Sequence, residues 1–163
     1  LNQIVPSLPV ISCDVELHSD QNTFDYNISP YIDSYVNVVT ENSYIDEPFI
    51  TEKIVKPLLA EQFFVVAGGK NTIQYLRELG FDTYDDIIDH SIYDNADEID
   101  RVLNVHKLLN NMKNYNWDQI YKDTTQRRKF NKQKVLSFEF EQIFLKELTE
   151  TTLTRGLAES FIY

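Results

Sequence analysis

The sequence predicts an α/β fold with a three-layer, Rossmann-like parallel sheet and extra helices toward the carboxyl terminus. Two short apolar runs, residues 35–39 and 63–67, have the β-branched and aromatic composition of buried strands. A helical pattern lies between them. Strands that are buried on both faces and joined through a helix pair in parallel, with a right-handed crossover. Together these observations indicate a doubly wound sheet.

The connecting helix is predicted to begin after Thr51 and to end near Glu61. The Thr51 side chain can cap its amino terminus, and the apolar residues at positions 54, 55, 58 and 59 form one stripe. Pro57 lacks the N–H that would bond to the carbonyl of Lys53. A short or distorted first turn is therefore expected.

After the second strand, Gly68 and Gly69 interrupt the apolar run. Asn71 or Thr72 is expected to cap another helix, which stops at Gly80. The loops at 40–50 and 67–71 then follow the carboxyl ends of the two strands. Ligands bind at this edge of open α/β sheets, so these loops are where a site is expected.

The remaining sequence is predicted to be helical. A long amphipathic helix is expected from Ala96 to Met112, and residues 117–148 are expected to form helix in one or two pieces. One side of the long helix carries Ile99, Val102, Leu103, His106, Leu109 and Met112. The basic run at 122–134 is interpreted as a solvated helix face rather than a nucleic-acid or membrane surface. The whole chain, 1–163, is interpreted as one domain with an irregular lead-in at 1–34 and a helical extension at 117–163.

Charge is distributed unevenly along the chain. The net charge is −11, and residues 1–100 hold 19 of the 26 acidic residues but only four of the 15 basic ones. Such an acidic segment argues against broad binding to a nucleic-acid backbone. It also makes Lys53, one of the four bases, conspicuous. No run of 18 apolar residues occurs, so no membrane span is expected.

The cysteine and histidine content limits the chemistry that is expected. Cys13 is the single cysteine, which excludes an internal disulfide and a cysteine-based zinc site. A reducing, cytoplasmic location is the default for such a chain. The three histidines are not spaced as metal ligands. We expect no cofactor and no obligatory metal.

The start of the connecting helix has the chemistry of a nucleotide site. The first N–H groups of a helix have no partner within it, and the helix dipole favours an anion there. Lys53 adds a full positive charge for a diphosphate, and the carboxylate of Glu52 can accept both hydroxyls of a ribose. Ordinary helix capping by Thr51 explains the same residues without any ligand, so this pattern alone leaves both interpretations open.

A longer pattern surrounds this helix start. It consists of a strand, Glu-Asn-Ser, an aromatic residue shortly before Thr-Glu-Lys, a helix that ends in a small residue, and a second apolar strand that ends at glycine. Here these parts are Val36–Val39, Glu41-Asn42-Ser43, Phe49, Thr51-Glu52-Lys53, Ala60 and Phe63–Gly68. Residues 35–69 thereby resemble the α-1,3-fucosyltransferase family and related glycosyltransferases of the GT-B architecture.

The resemblance implies a glycosyltransferase domain that binds a GDP-sugar or a similar nucleotide sugar. It implies that Glu52 binds the ribose, that Lys53 binds the diphosphate, and that Asn42 and Ser43 line the sugar-phosphate end. The donor-binding residues expected on this basis are Asn42, Ser43, Phe49, Thr51, Glu52, Lys53, Gly68 and Gly69. Two features depart from the family: Phe49 takes the place of a tyrosine, and no arginine precedes Arg77.

A GT-B enzyme places its active site between two domains, and only about 35 residues precede the first predicted strand here. We therefore expect a fragment of a larger enzyme, a half completed by an acceptor-binding domain or a second copy, or a non-catalytic nucleotide-sugar-binding or assembly module. A phosphate-binding domain of response-regulator type is a further, weaker alternative. The sequence assigns no catalytic residue.

Overall fold

The computed structural model of the protein describes residues 31, 33–41, 47–137 and 142. Within these ranges the protein is a mixed α/β structure with five helices and a parallel sheet of two strands, β1 (Val36–Thr40) and β2 (Phe63–Ala67). The predicted α/β class and both predicted strands are confirmed. Most of the irregular lead-in and of the chain after residue 137 lies outside the described residues.

The described helices follow the predicted order. They are α1 (Glu52–Leu59), α2 (Thr72–Glu78), α3 (Glu98–Met112), α4 (Trp117–Asp123) and α5 (Thr125–Val135), with a 3₁₀ turn at His90–Ile92 before α3. The helical stretch that was predicted from residue 117 thus begins as two helices. Gly80 follows α2 with a φ of 81°, the left-handed conformation that the predicted helix stop requires.

The two strands pair in parallel, with Val36 opposite Phe63 and Thr40 opposite Ala67. All five residues of β2 are buried, which explains its continuous apolar sequence. In β1 only Val39 is fully buried. The prediction of burial on both faces therefore holds for β2 and is wrong for β1.

Helix α1 begins where the sequence predicted. Thr51 is its N-cap, and the Thr51 hydroxyl oxygen accepts a hydrogen bond from the amide of Lys53 at 3.2 Å. Pro57 lies inside the helix and is buried, and the helix ends at Leu59, two residues earlier than predicted. The chain then turns at Glu61, whose φ is 58°. The short connection brings the chain directly into β2.

The orientation of α3 differs from the prediction. Ile99 is 75% exposed and Val102 is 49% exposed, whereas Arg101 is buried at 1% exposure. The buried side is formed by Arg101, Val105, Leu108 and Met112. The guanidinium group of Arg101 donates hydrogen bonds to the carbonyl oxygens of Gly68 and Ala96. These hydrogen bonds compensate the cost of removing the guanidinium group from water. Arg101 can therefore lie on the buried side of the helix, although apolar periodicity alone would assign it to the surface.

The basic run at 122–134 is also less solvated than predicted. Arg128 is 2% exposed and donates hydrogen bonds to the carbonyls of Glu61 and Tyr121. Arg127 forms ion pairs with Asp82 and Asp86 at 2.6 and 2.7 Å. Part of the run therefore attaches α5 to neighbouring segments instead of facing solvent.

A buried hydrogen-bond chain covers one edge of β2. The amide of Val66 donates to the Tyr93 hydroxyl at 3.3 Å, and that hydroxyl lies 2.5 Å from Nδ1 of His90. Nε2 of His90 lies 2.8 Å from the carbonyl oxygen of Thr83. Because a carbonyl only accepts, Nε2 carries the proton, and the Tyr93 hydroxyl donates to an unprotonated Nδ1. The chain requires a neutral imidazole.

Stability should consequently fall in mild acid through His90. Burial lowers the pKa of His90 below its ordinary 6.5. The unfolded chain then binds the proton first, so this contribution is complete above the unfolded pKa and is lost as pH falls toward the folded pKa. The loss is about 1.4 kcal/mol per pH unit inside that window.

Urea unfolding of the wild type and of His90→Gln, each at about pH 7.5 and about pH 5, tests this expectation. The variant should be less stable at the higher pH, where the wild-type hydrogen-bond chain is intact. It should also lose less free energy of unfolding between the two pH values. Equal losses in the two proteins would show that His90 does not carry the pH dependence.

Candidate functional site

An open cleft of about 260 Å³ runs along β1 to its carboxyl end and to the first turns of α1. It is lined by Tyr31, Asn37, Val38, Val39, Thr40, Glu41, Lys53 and Lys56. The cleft thus includes the edge of the sheet at which the sequence predicted a site. Its position follows from the strand–helix–strand order, because the chain leaves β1 and enters α1 at this edge.

Two lysines of α1 give the cleft a positive wall. Lys53 and Lys56 are three residues apart, a spacing that places side chains on the same face of a helix. They are two of the four basic residues in the first hundred. The side chain of Lys53 is 31% exposed and lines the cleft. The most acidic part of the chain therefore presents a local cationic site.

A buried carboxylate lies behind Lys53. The side chain of Glu41 is only 1% exposed, and the Thr51 hydroxyl donates to its Oε1 at 2.6 Å. Its Oε2 lies 3.4 Å from Nζ of Lys53 and has no hydrogen-bond partner of good geometry among the described residues. Burial raises the pKa of Glu41, while the Thr51 hydrogen bond and the Lys53 charge oppose that rise.

Thr51 connects the strand end to the helix start. Its hydroxyl donates to Glu41 and accepts from the amide of Lys53. One of the orphan N–H groups of α1 is thus satisfied within the protein. The Thr51 side chain therefore aligns the first turn of α1 with the end of β1.

The amino terminus of α2 differs from that of α1. The buried carboxylate of Asp94 accepts hydrogen bonds from the amides of Ile73 and Gln74 at 2.8 and 3.0 Å. An internal anion therefore already occupies the position that an external phosphate would take. Of the two helices that follow the strands, α1 is the one whose first turn adjoins the cleft.

The two glycines after β2 have structural contacts. A Cβ on Gly68 would lie 3.0 Å from Cγ of Glu41, and a Cβ on Gly69 would lie 2.1 Å from the carbonyl oxygen of Glu47. The Gly69 carbonyl accepts a hydrogen bond from the Thr72 hydroxyl at 2.8 Å. Both glycines thus allow the loop before α1 to approach the turn after β2 closely.

The predicted donor-binding residues are only partly brought together. Lys53 lines the cleft, and the Thr51 hydroxyl donates a hydrogen bond to Glu41, which also lines it. Glu52 is the first residue of α1 and is partly exposed, but it is not among the lining residues. Phe49 is half-buried, and its amide lies 3.4 Å from the Thr72 hydroxyl.

Asn42 and Ser43, which the resemblance places at the sugar-phosphate end, lie outside the described residues. Glu41 and Lys56 are not among the residues that the sequence predicts for the site. Their positions in the sequence could have indicated them, because Lys56 follows Lys53 at helical spacing and Glu41 is the first residue after the predicted strand. The burial of Glu41 depends on tertiary packing, and no sequence pattern indicates it.

Within the described ranges, no group of three or more histidine, cysteine, aspartate or glutamate side chains could hold a metal ion. No helix in these ranges has both the length and the apolar character to cross a membrane. Comparison of the chain with protein-family models, with curated proteins and with solved structures gave no match.

The close approach at Gly69 yields a stability prediction. Gly69→Ala places a methyl group 2.1 Å from the carbonyl oxygen of Glu47, whereas Gly68→Ala places one 3.0 Å from Cγ of Glu41, which is a smaller overlap. We expect Gly69→Ala to lower the free energy of unfolding by roughly 1–3 kcal/mol and Gly68→Ala by less. Chemical denaturation of both variants measures this. Equal stabilities of the two variants would show that residues 47–49 do not approach Gly69 as closely as described.

Proposed function

We propose that this chain is the donor-binding half of a GT-B glycosyltransferase and that it binds a nucleoside-diphosphate sugar, with a GDP-sugar favoured. The observation that carries the proposal is the pair Lys53 and Lys56 in a cleft at the carboxyl end of a parallel strand–helix–strand unit. The full sheet of such a domain, with three layers and a doubly wound order, forms part of the proposal.

The charge distribution suits a diphosphate. Two ammonium groups on one side of a cleft match two phosphates that each carry a negative charge, and charge-assisted hydrogen bonds of this kind are the strong ones. The nearby start of α1 favours the same sign of ligand. Glu52, at the first position of the helix beside Lys53, would accept the ribose hydroxyls in the proposed complex.

In catalysis, an acceptor hydroxyl would displace the nucleoside diphosphate from the anomeric carbon of the sugar. Lys53 and Lys56 would stabilise the negative charge that develops on the leaving diphosphate, as preorganised cations do in other active sites. The general base would come from an acceptor-binding domain or from a second copy of the chain, because GT-B enzymes form their active sites between two domains.

One observation favours the alternative of a non-catalytic nucleotide-sugar-binding module. Among the described residues that line the cleft, the one carboxylate is Glu41, which is buried and paired with Lys53. A general base must reach the acceptor hydroxyl, and Glu41 is enclosed. Binding of a sugar nucleotide without hydrolysis or transfer would support this module.

Calorimetric titration with GDP, UDP, GDP-mannose and UDP-glucose tests the binding shared by both functions. We expect a single site with a preference for one base. Absence of binding to all four at roughly millimolar ligand would contradict both functions. An assay for released nucleotide in the presence of candidate acceptors then separates the enzyme from the module.

Replacement of Lys53 provides a matched test of the site. Lys53→Ala should weaken binding of the nucleotide sugar by about 1.5–3 kcal/mol, because a charge-assisted hydrogen bond is lost. Lys107→Ala removes the same charge from the exposed side of α3 and should leave affinity unchanged. Equal affinities of the Lys53 variant and the wild type would exclude Lys53 from the site.

A further inference from the structure

The pairing of Lys53 has a consequence for any anion that enters the cleft. Its ammonium lies 3.4 Å from Oε2 of Glu41, and the described residues provide no other ion pair to this carboxylate. A bound phosphate would draw the same ammonium toward itself. Glu41 and the ligand therefore compete for one cation.

Glu41 has no means of avoiding this competition. Its side chain is 1% exposed, so water cannot replace the charge of Lys53. Gly68 lies directly against Cβ and Cγ of Glu41, and the amide of Glu41 is hydrogen-bonded to the carbonyl of Ala67 at 3.0 Å. Both contacts hold the backbone and the first carbons of the Glu41 side chain in place, and the Thr51 hydroxyl holds its carboxylate. A buried carboxylate that loses its cation is strongly destabilised unless it becomes neutral.

The groups around Glu41 reinforce this effect. From α1, Lys53 stabilises its negative charge and Glu52 opposes it. Lys56 and Tyr31 line the cleft beside it. On the side of β2, the described contacts are with Gly68 and the backbone of Ala67, which carry no charge. A phosphate at the lysines adds negative charge close to a carboxylate whose pKa burial has already raised.

We propose that Glu41 takes up a proton from solvent when an anion binds Lys53, so that the affinity for the ligand rises as pH falls. The inference rests on the proposed function, because it assumes that the phosphates of the ligand bind at Lys53. Glu41 is then a positioning residue. Ionised, it holds Lys53 and Thr51 in place in the free protein, and protonated, it releases Lys53 to the ligand while it keeps a hydrogen bond to Thr51.

Proton uptake can be measured directly on the wild-type chain. GDP-mannose is a suitable probe, because its diphosphate is esterified at both ends and does not itself titrate between about pH 5 and pH 8. Its binding enthalpy is measured at about pH 6 in two buffers of different ionisation enthalpy. We expect the two enthalpies to differ by the amount that corresponds to uptake of up to one proton. Affinity should rise by as much as about tenfold per unit of pH decrease at full coupling.

The outcomes separate this inference from the proposed function. Binding with equal enthalpies in both buffers would overturn proton uptake and leave the binding function intact. No binding at any pH would overturn the proposed function and this inference with it. Neither result depends on the stability of a variant.

Glu41→Gln adds an independent test. Glutamine keeps the shape of the side chain and an acceptor for the Thr51 hydroxyl, but it neither titrates nor competes for Lys53. The variant should bind GDP-mannose without proton uptake, with a flat pH profile and roughly threefold or more tighter than the wild type at about pH 7.5. A purely structural role predicts instead the same loss of affinity at every pH, which would overturn the inference.

Glu78→Gln is the matched control for the change in charge. Glu78 is exposed at the end of α2 and does not line the cleft. Its substitution removes one negative charge from the chain without changing the charge at Lys53. The proton uptake of this control should equal that of the wild type. If both variants lost proton uptake, overall charge rather than Glu41 would be responsible.

Discussion

Five residue pairs join β1 to β2 in parallel, and the hydrogen bond from the amide of Glu41 to the carbonyl of Ala67 extends this ladder one residue beyond β1. That extension places the Glu41 side chain under the turn at Gly68, out of contact with solvent. Lys53 and Thr51 then take their positions from Glu41. The geometry of the cleft depends on this backbone pairing more than on the residues that face the cleft.

Buried charged side chains recur in the described part of the structure, and their charges are compensated in three ways. Arg101 and Arg128 donate to backbone carbonyls, whereas Asp94 accepts from the backbone amides of α2. Glu41 differs from these three, because its charge is balanced by a partly exposed lysine. The charges of Arg101, Arg128 and Asp94 are compensated mainly by groups of the protein backbone. The pair formed by Glu41 and Lys53 borders the open cleft, and for that reason the proposed response to a ligand is assigned to it.

Local sequence patterns predicted much of the fold. The β-branched run of β2, the cap at Thr51 and the stop at Gly80 each depend on interactions within a few residues, and all three are confirmed. The buried face of α3 was predicted incorrectly. Apolar periodicity placed Ile99 on the inner side, but the carbonyl of Gly68 requires the guanidinium of Arg101 there. That carbonyl is 33 residues distant in sequence, so no local pattern could have indicated it.

The sequence by itself determined the order of strands and helices, the edge of the sheet at which the loops meet, and the cationic start of α1. These features follow from composition and spacing, which act over short distances along the chain. Only the tertiary structure decided that Lys56 joins Lys53 in one cleft, that α2 is capped by Asp94, and that Glu41 is buried behind the cation. Each of these depends on which segments pack together. Burial removes water from a charged group, so the neighbouring protein groups then determine whether it is ionised.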